Sequence, residues 1–115
     1  MTMEANVYQK HAMRTANKEG YETPLHQLAN GALGLCGEGG EVADLVKKAM
    51  FQGHDLDVAH VAKELGDVAW YLAVAADAIG FDLDTILQMN VDKLKARYPD
   101  GFDADRSIHR AEGDI

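Results

Sequence analysis

The chain has 115 residues, 11 Lys and Arg against 19 Asp and Glu, and a formal net charge of −8. That length makes one modest domain, and the acidic balance argues against a nucleic-acid backbone or an anionic membrane as the main partner. Cys36 is the lone cysteine, so no internal disulfide forms; no signal peptide is recognisable and no apolar run approaches the roughly 18 residues of a spanning helix, so a cytoplasmic protein is expected.

The patterning is helical throughout, and four helices are expected. The first runs from about Glu4 to Asn17 and ends before Lys18-Glu19-Gly20. Thr23 then offers an N-cap with Pro24 at the first helical position, and the second helix continues to about Gln52, with Gly53 as its stop. Asp57 or a neighbour starts the third, which ends at Ile79-Gly80; the fourth begins near Asp82 to Asp84 and ends at Tyr98, before Pro99. Residues 1–115 thus form a single all-α domain with a core of about 4–98. Residues 99–115 are a short polar tail that either docks on a partner surface or is mobile.

Apolar faces follow from the helical period. They are Leu28, Ala32, Leu35, Val42 and Val46 on the second helix, Val61, Leu65, Val68, Leu72 and Ile79 on the third, and Leu83, Leu87, Leu94 and Tyr98 on the fourth. Cys36, between Leu35 and Gly37, is expected to be a buried structural thiol. Trp70 falls opposite the stripe of the third helix, where either the first helix or another subunit would cover it; the subunit contact is favoured. Gly31, Gly34, Gly37, Gly39 and Gly40 in one helix each cost up to about 1 kcal/mol relative to alanine. Small residues at Gly31 and Gly34 leave room for a ligand or a close helix. The competing reading is a break in the helix near Gly37 to Gly40.

Four acids carry the chemistry. Glu38 and Glu41 are spaced i, i+3, and so are Glu64 and Asp67, so each pair projects from one side of its helix. Residues 42 to 63 are long enough to finish one helix and return a second alongside it, bringing four carboxylates into one space. Such charges repel unless a cation sits among them. All-oxygen ligands suit a hard ion, Mg²⁺ or Mn²⁺, and metal-assisted phosphate chemistry is the leading function. His60 and Tyr71 extend the line of Glu64 and Asp67, and Asn90, Lys93 and Arg97 line the edge of the fourth helix. In each case the polar line lies beside the apolar stripe, as residues lining a cleft would. A Glu-x-x-Glu pair on a helix is ordinarily solvated surface, and His60 is ordinarily a packing or capping residue, so His60 is left out of the metal set.

These residues resemble a known family. Glu38-Gly-Gly-Glu41 followed by Glu64-Leu-Gly-Asp67 is similar to the ExxE…ExxD signature of the MazG-like all-α nucleoside triphosphate pyrophosphohydrolases. The surrounding Ala32-to-Asp44 and Glu64-to-Tyr71 segments resemble it too. So do the closing Asn90-to-Phe102 segment and the opening Tyr8-Gln9 and Arg14-Thr15. The resemblance covers about residues 7 to 110. It implies a four-helix bundle assembling as a homodimer or homotetramer. It also implies cleavage of (d)NTP between the α and β phosphates to the monophosphate and pyrophosphate, in nucleotide-pool house-cleaning. Glu38, Glu41, Glu64 and Asp67 would hold Mg²⁺ and form the catalytic set. Asn90 and Lys93 carry over as phosphate or sugar contacts and Tyr71 as a base contact, with Lys93 and Arg97 stabilising the departing pyrophosphate. Tyr8, Arg14, His26 and Gln27 are further candidates for the base. The rivals are a phosphoribosyl-ATP pyrophosphohydrolase of the same superfamily and a non-catalytic module that binds nucleotide or metal. The glycine-rich stretch and the Tyr98-Pro99…Phe102 ending fit the MazG-like branch better.

Overall fold

The computed structural model describes residues 2–115, and among them the fold is all-α. Four main helices occur in the expected order: α1 (Ala5–Arg14), α2 (Pro24–Phe51), α3 (Val58–Ala78) and α4 (Leu83–Arg97). A single 3₁₀ turn at Lys18–Gly20 follows α1, and a fifth short helix, α5 (Ala104–Ile108), lies in the tail. Their limits are set locally. The side chains of Thr23, Asp57 and Asp82 accept hydrogen bonds from the backbone N–H groups of His26, Val58's successor but one His60, and Thr85, so each supplies an acceptor that its first turn lacks. Gly53 and Gly80 end α2 and α3 at φ of 72° and 77°, a conformation that costs a residue with a Cβ.

Helix α2 runs unbroken for 28 residues, so the glycines near Gly37 to Gly40 do not interrupt it. Those at Gly31 and Gly34 have a plain purpose. A Cβ on Gly31 would lie 2.9 Å from the Ala75 backbone nitrogen, and one on Gly34 would collide with the Tyr71 ring. The glycine side of α2 is therefore where α3 makes its closest approach. The α2/α3 hairpin supplies most of the contact between elements, and α1 and α4 add less.

Two buried glutamines fasten the rest. Gln9 accepts from the backbone N–H of Leu83 at 3.0 Å and donates to the Phe81 carbonyl at 3.2 Å, tying α1 to the start of α4. Gln27 donates to the Val74 carbonyl at 3.1 Å and to Asp77 at 2.8 Å, and Lys18 pairs with the same carboxylate at 2.9 Å. The Trp70 indole donates to the Ala12 carbonyl at 3.1 Å and the Thr15 hydroxyl at 2.9 Å. Trp70 is thus covered by α1 of its own chain, not held out for a second subunit.

The core is small and built from Ala12, Ala73, Ala76 and Leu83, with Tyr8, Trp70, Leu72 and Ile86 packed against it. Much of the expected apolar stripe stays outside it: Leu65 is 54% exposed, Ile79 51% and Leu87 48%. Cys36 is also exposed, correcting the expectation of a buried thiol, because α3 covers only one side of α2 there. The radius of gyration is 17.2 Å, against roughly 13 Å for a compact chain of this length. The tail is neither detached nor featureless. It turns at Pro99–Gly101, forms α5 behind an Asp103 cap, and returns to α4 through Asp114.

Candidate functional site

Helices α2 and α3 lie antiparallel, since Gln27 meets Asp77, Gly31 meets Ala75 and Gly34 meets Tyr71. One more turn along α2 brings Glu38 to Glu64 and Asp67. These three carboxylates offer oxygens that all lie within 4.8 Å of one another. The register set by the glycines is therefore what assembles the acids. Glu41, exposed and one turn farther along α2, lies outside this tight trio but adds to the negative field at Glu38.

The electrostatics show what the trio lacks. A hydrogen bond with Glu64, then desolvation, then the charges of Glu64, Asp67 and Glu41 push the Glu38 carboxyl up to about 7. Two carboxylates this close share a proton because both cannot ionise freely. The His60 ring nitrogen lies 3.2 Å from a Glu64 oxygen, and the His60 backbone N–H is tied to the Asp57 cap. His60 thereby orients Glu64. On the other flank, burial and the Asp67 charge raise the Tyr8 hydroxyl, which puts α1 within electrostatic reach of the acids. Tyr71 packs edge-on against Trp70, with ring centroids 5.0 Å apart at 89°.

A divalent cation fits the donor set. Oxygens bound about 2.1 Å from Mg²⁺ lie roughly 3 to 4 Å from each other, within the span of the trio. The raised proton affinity of Glu38 marks the excess negative charge that such an ion would offset. This has a measurable sign. Glu38 binds its proton more tightly in the folded chain than at its ordinary value of 4.5. Its stabilising contribution is full below that value and is lost as the pH rises through about 7. In excess chelator, thermal stability is expected to fall across this window, and Mg²⁺ added above it should restore the loss. A melting temperature that ignores both pH and metal there would count against the trio as a cation site.

The other expected residues are more dispersed. Asn90 is exposed on α4, which packs on α1 and α3 rather than substantially on α2. Lys93 and Arg97 line a cavity between α4 and the tail, and Arg97 is held by Asp114. Among the described residues, no hydrogen bond or ion pair links Asn90, Lys93 or Arg97 to the acids. Gln27 is committed to the α2–α3 contact, and His26 accepts from the Glu22 backbone N–H at 3.1 Å. The part His60 plays beside Glu64 was visible only as an i, i+4 spacing.

A family model described as the MazG nucleotide pyrophosphohydrolase domain matches residues 27–102, which include all four acids and the whole of α4. The chain is 32% identical over 118 residues to the "Gene 37 protein" of Mycobacterium phage L5, covering 97% of this chain and 98% of that protein. No solved structure matches it significantly.

Proposed function

Because the chain belongs to the MazG nucleotide pyrophosphohydrolase family, we propose that it hydrolyses a nucleoside or deoxynucleoside triphosphate between the α and β phosphates. The products are the monophosphate and pyrophosphate, and the setting is nucleotide-pool house-cleaning in the cytoplasm. The observation that carries this reading is the convergence of Glu38, Glu64 and Asp67, whose oxygens lie within 4.8 Å of one another.

Glu38, Glu64 and Asp67, with Glu41 one turn away, would hold Mg²⁺ or Mn²⁺. Bound there, the ion supplies neutralisation of the triphosphate and acidification of a water. Glu38 or Glu41 accepts the proton of the attacking water at a carboxylate oxygen. His60 keeps Glu64 turned toward the trio. Lys93, with Arg97, meets negative charge on the pyrophosphate side, Asn90 contacts phosphate or sugar, and Tyr71 contacts the base. Exposed Leu33, Leu65, Leu87 and Met89 supply apolar surface for a homodimer or homotetramer, which accounts for the expanded single chain.

The test is pyrophosphate release from canonical and modified NTPs and dNTPs with Mg²⁺, Mn²⁺ or excess chelator. Release that needs metal and favours one nucleotide is expected. Silence across the panel from folded, metal-binding protein would overturn the substrate assignment and turn attention to phosphoribosyl-ATP or to binding without turnover.

A further inference from the structure

We propose that the cavity between the C-terminal half of α4 and the folded-back tail is a binding site for a polyphosphate anion, which the Asp114 carboxylate occupies in its absence. The cavity has a volume of about 300 Å³. Its walls bring together Lys93, Arg97, Arg106, Arg110 and His109, with Asp114 as the one acid. Four of the 11 Lys and Arg side chains thus share one small concavity in a chain of net charge −8. Within it the carboxylate is that of Asp114, and His109 also lies 3.8 Å from Asp105.

The way Asp114 sits is informative. Its two oxygens each accept from the Arg97 guanidinium at 2.8 Å, a parallel fork, with the Arg97 side chain 9% exposed. Arginine makes this same paired geometry with phosphate. Arg97 comes first among the causes that hold the Asp114 carboxyl low, and the charges of Arg110 and Lys93 reinforce it. One carboxylate answers only one of the four charges. Among the described residues, Lys93, Arg106 and Arg110 make no ion pair. An anion with several charges on a short chain satisfies all four, whereas a simple carboxylate cannot. Arg106, His109 and Arg110 lie beyond residues 27–102, outside the region that matches the family model.

A polyphosphate could reach this site as part of a nucleotide or as free pyrophosphate. The first source rests on the function proposed above; binding of the anion itself does not. The probe is inorganic tripolyphosphate, titrated calorimetrically into the full chain in excess EDTA, so that the acid trio cannot hold it through a metal. Wild type is expected to bind, and more weakly as salt is raised. Asp114→Asn should bind roughly tenfold tighter, because the internal competitor loses its charge. The exposed pair Arg106→Ala with Arg110→Ala should bind at least about tenfold weaker while the helical circular dichroism is unchanged. If Asp114 serves only to staple the tail, Asp114→Asn will loosen the site and bind no better, which overturns the proposal. So does a double variant equal to wild type, or no binding by either wild type or Asp114→Asn. The two sources separate in turnover. A raised nucleotide KM with kcat retained in the double variant assigns the site to substrate, and loss of inhibition by added pyrophosphate assigns it to the free anion. A chain that binds tripolyphosphate in EDTA but hydrolyses no nucleotide would refute the enzyme reading and leave this site standing.

Discussion

Asp67→Ala and Glu64→Gln are each expected to lower metal-dependent pyrophosphate release by more than about a hundredfold, beyond the loss ordinarily seen when groups merely supporting a metal ligand are removed. Their helices should stay intact. Both residues face Glu38 across the hairpin, and all three offer oxygens within 4.8 Å. Removing one negative charge relieves repulsion in the metal-free protein, so the variants should melt no lower than wild type in chelator. They should also lose the stabilisation that Mg²⁺ gives wild type at a pH above about 7, where Glu38 has shed its proton. The combination separates a site from a scaffold. A structural acid lowers stability when removed, whereas a cation ligand lowers activity and metal response alone. Full turnover in both variants, measured as pyrophosphate release, would refute the assignment.

The second large effect is on the hairpin itself. Gly31→Ala places a methyl group 2.9 Å from the Ala75 nitrogen and Cβ and 3.0 Å from its Cα. Backbone cannot swing aside as a flexible side chain can, so the helices must part. Overpacking of this kind costs about 1–3 kcal/mol, and the gain in helix propensity returns up to about 1 kcal/mol. The net is a loss of up to about 2 kcal/mol in urea unfolding, and Gly31→Val, with more bulk at the same contact, loses more. Gly39→Ala serves as the opposite case. Nothing lies within 4 Å of its Cβ position, so the same substitution should stabilise the isolated chain by up to about 1 kcal/mol. If Gly31→Ala proved the more stabilising of the two, the close approach of α2 and α3 would be wrong. Turnover should fall with Gly31→Ala beyond what the stability loss explains, because the displaced register also separates Glu38 from Asp67.

Legibility of the fold follows the range of the interaction concerned. The N-caps at Thr23, Asp57 and Asp82 and the stops at Gly53 and Gly80 are decided within a few residues, and each was readable to within a residue or two. The approach of Glu38 to Glu64 and Asp67 was readable because i, i+3 pairs on consecutive helices meet in an antiparallel hairpin, but Glu41 falls outside the trio rather than completing a quartet. The contact face of α2 was harder. Hydrophobic periodicity gives no weight to glycine, yet the glycines at 31 and 34 are where α3 comes closest, while Leu65 and Ile79 stay half exposed. Trp70 and Cys36 were misjudged for related reasons. The place of α1 over Trp70 depends on distant hydrogen bonds to Ala12 and Thr15, and the flank of α2 that α3 leaves open carries Cys36. The pairing of Arg97 with Asp114 spans 17 residues of turns and one short helix, and has no period to betray it.

The glutamine and tryptophan hydrogen bonds that fasten α1 have a consequence for motion. Helix α1 is only ten residues long and buries just two of them, Gln9 and Ala12. So short a helix has little stability of its own. It belongs to the least stable layer of the molecule, able to open while the α2/α3 hairpin persists. Tyr8 travels with it. Each such opening takes the Tyr8 hydroxyl out of the field of Asp67. The bonds from Gln9 to Leu83 and from Trp70 to Ala12 therefore govern how long Tyr8 stays beside the acids.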